Sequence, residues 1–157
     1  MKSCKRVRRA QARWIGGRQL LGAMRDACVG HTLAGVTRER QECGREGEAR
    51  AAAFLAARGF TILARNARSA AGEIDLVALD GETLVFCEVR TRRSRRQGGA
   101  LESVTPLKQR QVVRVAEWFL TRHPELQARP IRFDVVAIDV RGDEAAIEHV
   151  ADAFGAT

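Results

Sequence analysis

G-E-I-D-L-V-A-L-D-G-E-T-L-V-F-C-E-V-R, residues 72–90, decides how this chain folds. It is two apolar runs joined by Asp80-Gly81, and Asp-Gly between hydrophobic runs signals a tight hairpin. With Asp80 and Gly81 as the two central turn residues, Leu79 pairs with Glu82, Asp75 faces Phe86 and Glu73 faces Glu88. Residues opposite one another share a face, as do residues two apart, so Glu73, Asp75, Glu88 and Arg90 converge on one surface. Three acids so placed repel each other. The surface therefore calls for positive charge, either a divalent metal or Arg90 itself. Leu76 to Leu79 and Leu84 to Cys87 are apolar on both faces, so the hairpin is expected inside a sheet covered on both sides.

Outward from the hairpin, Thr37 to Arg58 reads as a helix with a stripe of Ala49, Ala52, Ala53, Leu55 and Ala56, stopped by Gly59. Phe60 to Leu63 reads as a strand and Asn66 to Ala71 as a polar link. Beyond the hairpin, residues 90–96 (R-T-R-R-S-R-R) and the following Gln97-Gly98-Gly99 read as an exposed, mobile loop. Thr105-Pro106 opens a second helix, with threonine as N-cap and proline at the first position. Leu107, Val112, Val115, Ala116, Phe119 and Leu120 are expected on its inner face, with Lys108, Arg110 and Arg114 mostly outside. His123-Pro124 ends it, Ile131 to Val140 is a strand, and residues 145–150 form a last short one. The order α-β-β-β-α-β-β describes an α/β domain layered around a mixed sheet.

A length of 157 residues suits one domain with one core. Cys4, Cys28, Cys43 and Cys87 show no C-x-x-C spacing, which points to reduced thiols in a cytoplasmic protein. No apolar run approaches the roughly 18 residues of a membrane span, so a soluble protein without a membrane partner is expected. The net charge of +8 is unevenly placed. Residues 1–40 hold ten Lys/Arg against two acids, whereas residues 41–157 hold 17 against 17. Residues 1–36 are expected to be a basic, disordered arm with a short helix around 5–15, ahead of a domain at 37–157. The arm has no apolar core of a secretory signal, and Met24 is an alternative start.

Asp75 followed by Glu88-Val89-Arg90 has the outline of a metal-dependent nuclease site. Carboxylates are the hard oxygen donors that suit Mg2+ or Mn2+, and a neighbouring cation stabilises charge developing on a phosphate. The bland alternative is a surface hairpin with ordinary Glu–Arg pairing. Glu73 reads as a salt-bridge partner or an acid supporting the site, and Asp134 as a buried acid that takes structural hydrogen bonds or lies near the site. His31, His123 and His149 have no metal-ligand company.

Over residues 43–154 the chain resembles the YraN-type uncharacterised protein family. The likeness rests on ordered blocks: G-R-E-G-E-A at 44–49, G-F-T-I-L-A-R-N at 59–66 and G-E-I-D-L-V at 72–77. It continues through V-F-C-E-V-R-T-R at 85–92, V-T-P-L-K-Q at 104–109, R-F-D-V-V at 132–136 and D-A-F at 152–154. The resemblance implies a restriction-endonuclease-like core of the PD-(D/E)xK type, similar to archaeal Holliday-junction resolvases. It implies that Asp75 and Glu88 bind Mg2+ or Mn2+, that Glu48 on the first helix completes the metal site, and that Arg90 stands where relatives carry a catalytic lysine. Arginine keeps its proton, so it clamps a phosphate but does not serve as a base. Lys108 is a second phosphate contact or a solvated helix lysine. Arg92, Arg93, Arg95 and Arg96 are contacts to a nucleic-acid backbone or a solubilising loop. Two functions follow. One is a Mg2+-dependent, structure-selective DNA endonuclease, with a homodimer implied by the resolvase likeness. The other is an inactive nucleic-acid-binding or scaffolding protein, RNA included, in which Arg90 neutralises the acids.

Overall fold

A computed structural model describes residues 9–14, 33–92, 104–141 and 144–155. The elements are β1 (Arg9–Trp14), α1 (Leu33–Ala56), β2 (Thr61–Ser69), β3 (Gly72–Asp80), β4 (Thr83–Arg92), α2 (Pro106–Arg122), β5 (Ile131–Arg141) and β6 (Glu144–Phe154). A single 3-10 turn, Pro124–Leu126, follows α2. The strands form one sheet in the order β1-β6-β5-β4-β3-β2. β4 and β5 are parallel, and every other neighbouring pair is antiparallel. A parallel pair needs a long crossover, and α2 supplies it.

The doubly apolar hairpin is covered on both faces, as its sequence requires. On one face Ala51, Ala52, Phe54 and Leu55 of α1 pack on Leu76, Val85, Cys87, Val89, Val136 and Ile138. On the other, Val112, Val115, Ala116 and Phe119 of α2 pack on Ile74, Val77, Leu84, Phe86 and Phe133. Cys87 is fully buried as a free thiol within the first cluster, where it packs as a small hydrophobe. Both helices carry about the expected span, but their buried faces differ from expectation. Ala49, Ala53 and Ala56 are exposed, because a methyl group is too small to choose a face and Phe54 with Leu55 chooses instead. On α2, Leu107 is 71% exposed while Lys108 turns inward.

The hairpin turn lies one residue later than the Asp80-Gly81 reading placed it. Asp80 pairs with Thr83 and Leu79 with Leu84, so Gly81 and Glu82 are the central pair. Gly81 takes φ 58, a left-handed backbone that glycine adopts without strain. Each partner on β4 therefore moves by two residues. An even step leaves the side chains of the regularly paired residues, Leu76 to Asp80 and Thr83 to Cys87, on their original faces.

Other differences are local. Residues 66–69, expected as a link, extend β2 against β3, and residues 151–154 extend β6. Arg90, Thr91 and Arg92 belong to β4 and are partly buried rather than in a loop. Within the expected arm, residues 9–14 are a strand paired with β6 rather than a helix, and α1 begins at Leu33, inside the span assigned to the arm. The rest of the arm lies outside the described residues.

Candidate active site

Regular pairing between β3 and β4 runs from Asp80–Thr83 to Leu76–Cys87. Counting one residue further sets Asp75 against Glu88. Here the Val89 N–H donates to the Asp75 carboxylate itself, at 2.7 Å. The two sides of β3 also exchange at this point, since Ile74 packs in the α2 cluster and Leu76 in the α1 cluster. Strict alternation would put both on one face. On the neighbouring strand, Asn66 falls opposite Asp75 between the pairs Arg65–Leu76 and Ala67–Ile74. Its φ of 53 is unusual for a residue with a side chain. β2 and β3 are thus bent at the same level, and that bend brings the Asp75 carboxylate to β4.

Asp75 is 8% and Glu88 2% exposed, so both acids are shut away from water. Glu88 Oε1 carries two ion pairs, to Arg90 Nη2 at 3.1 Å and to Lys108 Nζ at 3.2 Å. Lys108 Nζ also donates to the Glu73 carbonyl at 3.5 Å. Glu88 Oε2 and Arg90 Nε are buried with no partner among the described residues. Burial first, and then the Glu88 charge, push the Asp75 carboxyl up to about 7. The Val89 N–H and Lys108 pull the other way, and Glu48 adds a further push upward. Glu88 is also raised by burial, although Lys108 and Arg90 oppose it. Two buried acids thus share the site with two cations, and burial is the larger part of what raises them.

α1 delivers Glu48 to the same region. Gly47 packs directly on Thr91 of β4, and a methyl group on Gly47 would collide with the threonine hydroxyl. A glycine in mid-helix costs about 1 kcal/mol relative to alanine, and here it permits the close approach. Glu48, the next residue, accepts a hydrogen bond from Asn66 Nδ2 at 2.8 Å. The turn toward Asp75 is therefore incomplete. Among the described residues no three of His, Cys, Asp and Glu stand together as a ready metal cage.

The expected residues divide accordingly. Asp75, Glu88, Arg90 and Lys108 meet, while Glu48 is held by Asn66 and acts on Asp75 through its charge. Glu73 pairs with Arg68 at 2.6 Å on the surface, in keeping with the salt-bridge reading. Arg92 ends β4, and Arg93, Arg95 and Arg96 lie outside the described residues. Lys108 was expected to point outward and does not. It precedes Val112 by four residues and so continues the stripe Val112, Val115, Phe119, a signal the sequence carries. Asn66 had no such signal, because its role depends on a bend in two strands.

A second polar group lies beside the site on β5 and β6. Asp134 is fully buried and accepts from Arg132 Nε at 2.9 Å, His149 Nε2 at 2.8 Å and the Asp152 N–H at 3.0 Å. Burial alone would raise its pKa, but the hydrogen bonds of His149 and Arg132 outweigh burial and hold it below the usual carboxylate value. Arg132 also reaches Asp80 at 2.9 Å, tying β5 to the hairpin end. Asp134 thus takes the structural hydrogen bonds expected of it.

The model of the uncharacterised protein family UPF0102 matches residues 47–138, a span that holds α1 from Gly47, the hairpin, α2 and β5 as far as Ile138. The chain belongs to the UPF0102 family. A UPF0102 protein of Anaeromyxobacter dehalogenans is 55% identical over 115 residues, covering 73% of this chain and 85% of the relative. UPF0102 proteins of Roseiflexus castenholzii and Alcanivorax borkumensis are 49% and 45% identical, covering 73% and 76% of this chain and 94% and 96% of their own lengths. These findings establish the YraN-type family read from the sequence blocks. The UPF0102 match takes in Glu48, Asp75, Glu88, Arg90 and Lys108, and leaves residues 1–46 outside.

Proposed function

We propose that this protein binds nucleic acid and hydrolyses phosphodiester bonds, as a Mg2+- or Mn2+-dependent, structure-selective DNA endonuclease with a restriction-endonuclease-like core. One observation carries the reading. Asp75 and Glu88 are buried side by side, Asp75 is pushed up to about 7, and Glu88 Oε2 has no donor among the described residues. An orphaned carboxylate oxygen beside a second buried acid suits a hard divalent cation. Asp75 and Glu88 would hold it, joined by Glu48 once that side chain leaves Asn66. Such an ion, when bound, activates water and neutralises charge on the phosphate.

The protein's own residues supply the remainder. Arg90 and Lys108 stand 3.1 and 3.2 Å from the same Glu88 oxygen, placed to transfer their charge to a phosphate that enters beside the acids. The Arg90 guanidinium steadies the negative charge of the transition state. The Val89 N–H fixes the Asp75 carboxylate in position. A homodimer is the assembly this reading expects, by analogy with enzymes that cut two strands.

The test is to incubate purified protein with four-way and flapped DNA in Mg2+ or Mn2+. Cleavage by the wild type and a loss of about 100-fold or more in Asp75→Asn and Glu88→Gln are expected. Cleavage that persists in both variants contradicts the mechanism.

The double ion pair on Glu88 favours one other reading. Arg90 and Lys108 would then stand in the metal's place, in a non-cleaving protein that binds or scaffolds DNA or RNA. Thermal stability unmoved by millimolar Mn2+, with no cleavage of any DNA form, selects it.

A further inference from the structure

We propose that the cavity between the β2–β3 turn and α2 is a second phosphate subsite, holding the phosphodiester next to the one at the acids. It is an open cleft of about 410 Å3 lined by Arg68, Ser69, Gly72, Glu73, Lys108 and Gln111. The proposal rests on the reading that Asp75 and Glu88 act on a phosphodiester, and it adds the place where the neighbouring nucleotide sits.

Lys108 joins the two sites. It lines the cavity and its Nζ lies 3.2 Å from Glu88 Oε1, so an anion in the cavity adjoins whatever the acids hold. Arg68 is the second cation. Its ion pair with Glu73, at 2.6 Å, involves an Arg68 side chain that is 73% exposed. A pair so open to water is weakly held, and a phosphate, with which arginine forms parallel hydrogen bonds, competes for it.

Gly72 and Gln111 form the wall. Gly72 has φ 138, and a side chain there would occupy the space that the Gln111 amide fills. The glycine therefore lets the amide lie against the turn. The Gln111 amide nitrogen lies against Gly72 in the lining of the cleft, where its N–H groups can donate to a ligand oxygen. Ser69 Oγ is already committed, accepting the Ala71 N–H at 3.1 Å, and so holds the turn that shapes the cavity. Two cations and one amide donor around a cleft match the phosphate and sugar oxygens of a polynucleotide.

The test is fluorescence anisotropy of a labelled single-stranded oligonucleotide with full-length wild type, Arg68→Ala and Gln111→Ala, in EDTA and over a range of salt. Each variant is expected to bind about tenfold more weakly at low salt, with its melting temperature unchanged. Arg68→Ala is expected to reduce the slope of log affinity against log salt by about one, and Gln111→Ala to leave it as in the wild type. Equal affinity in the wild type and both variants, or no binding by the wild type, overturns the proposal. No cleavage is read in EDTA. The result is thus independent of whether the acids catalyse, which the Mn2+ cleavage assay decides separately.

Discussion

Asp75 carries a charge that the folded protein opposes, and this has a measurable sign. Its carboxyl moves from 3.8 to about 7 on folding. Between those values the folded protein keeps a proton that the unfolded chain has lost, so stability falls as pH rises through the window. Above about pH 7 the penalty is complete. Asp75→Asn removes it while leaving an oxygen to accept the Val89 N–H. Urea unfolding in EDTA should show the variant more stable than wild type by about 2 kcal/mol at alkaline pH, with the gain gone near pH 4. Asp134 has the opposite sign, since its pKa is lowered. Its contribution is complete above 3.8 and is lost as pH falls through its lower folded value. Asp134→Asn leaves Arg132 and His149 facing a neutral group, and a loss of about 3 kcal/mol at neutral pH is expected in the same unfolding measurement.

At the scale of elements, the contact between α1 and β4 sets where Glu48 stands. Gly47→Ala places a methyl group against Thr91, which should cost about 1–3 kcal/mol despite the better helix propensity of alanine. Thr91→Ala in the same chain removes the obstructing hydroxyl. A double-mutant cycle by thermal unfolding should therefore return a coupling of about 1 kcal/mol or more; strict additivity would deny the contact. The hairpin shows what sequence conveys at this scale and what it does not. Apolar residues on both faces of β3 and β4 gave their burial, and the Asp-Gly signal gave a two-residue turn. The turn's place was misjudged by one residue, because glycine is required at the first central position and not the second. The acids still met, because the slip was even and the bend at Asp75 turns its carboxylate to β4. Lys108 was legible through its spacing from Val112. The bend at Asn66 and Asp75 was not, because it arises from two strands deforming together.

For the whole molecule, the sheet is a platform with the site on one part and an anchoring network on another. Arg132 links Asp134 to Asp80 and so joins β5 to the hairpin tip, while Arg129 and Glu82 meet nearby at 3.0 Å. These ties hold β4 in place between α1 and α2, the two helices that bring Glu48 and Lys108 to it. The strand at residues 9–14 was hidden in a basic stretch whose composition suggested no sheet. Its partner β6 supplies the pairing that local sequence does not reveal.

Binding of Mn2+ measured by titration calorimetry, in buffers of differing ionisation enthalpy, tests the cation site most directly. At about pH 6.5 wild-type protein should bind Mn2+ and release most of a proton, because the ion displaces the one that Asp75 retains. Asp75→Asn should bind markedly more weakly and release none. Absence of binding, or equal binding with no proton released by either protein, would show that Arg90 and Lys108 already satisfy the acids and that no metal belongs there.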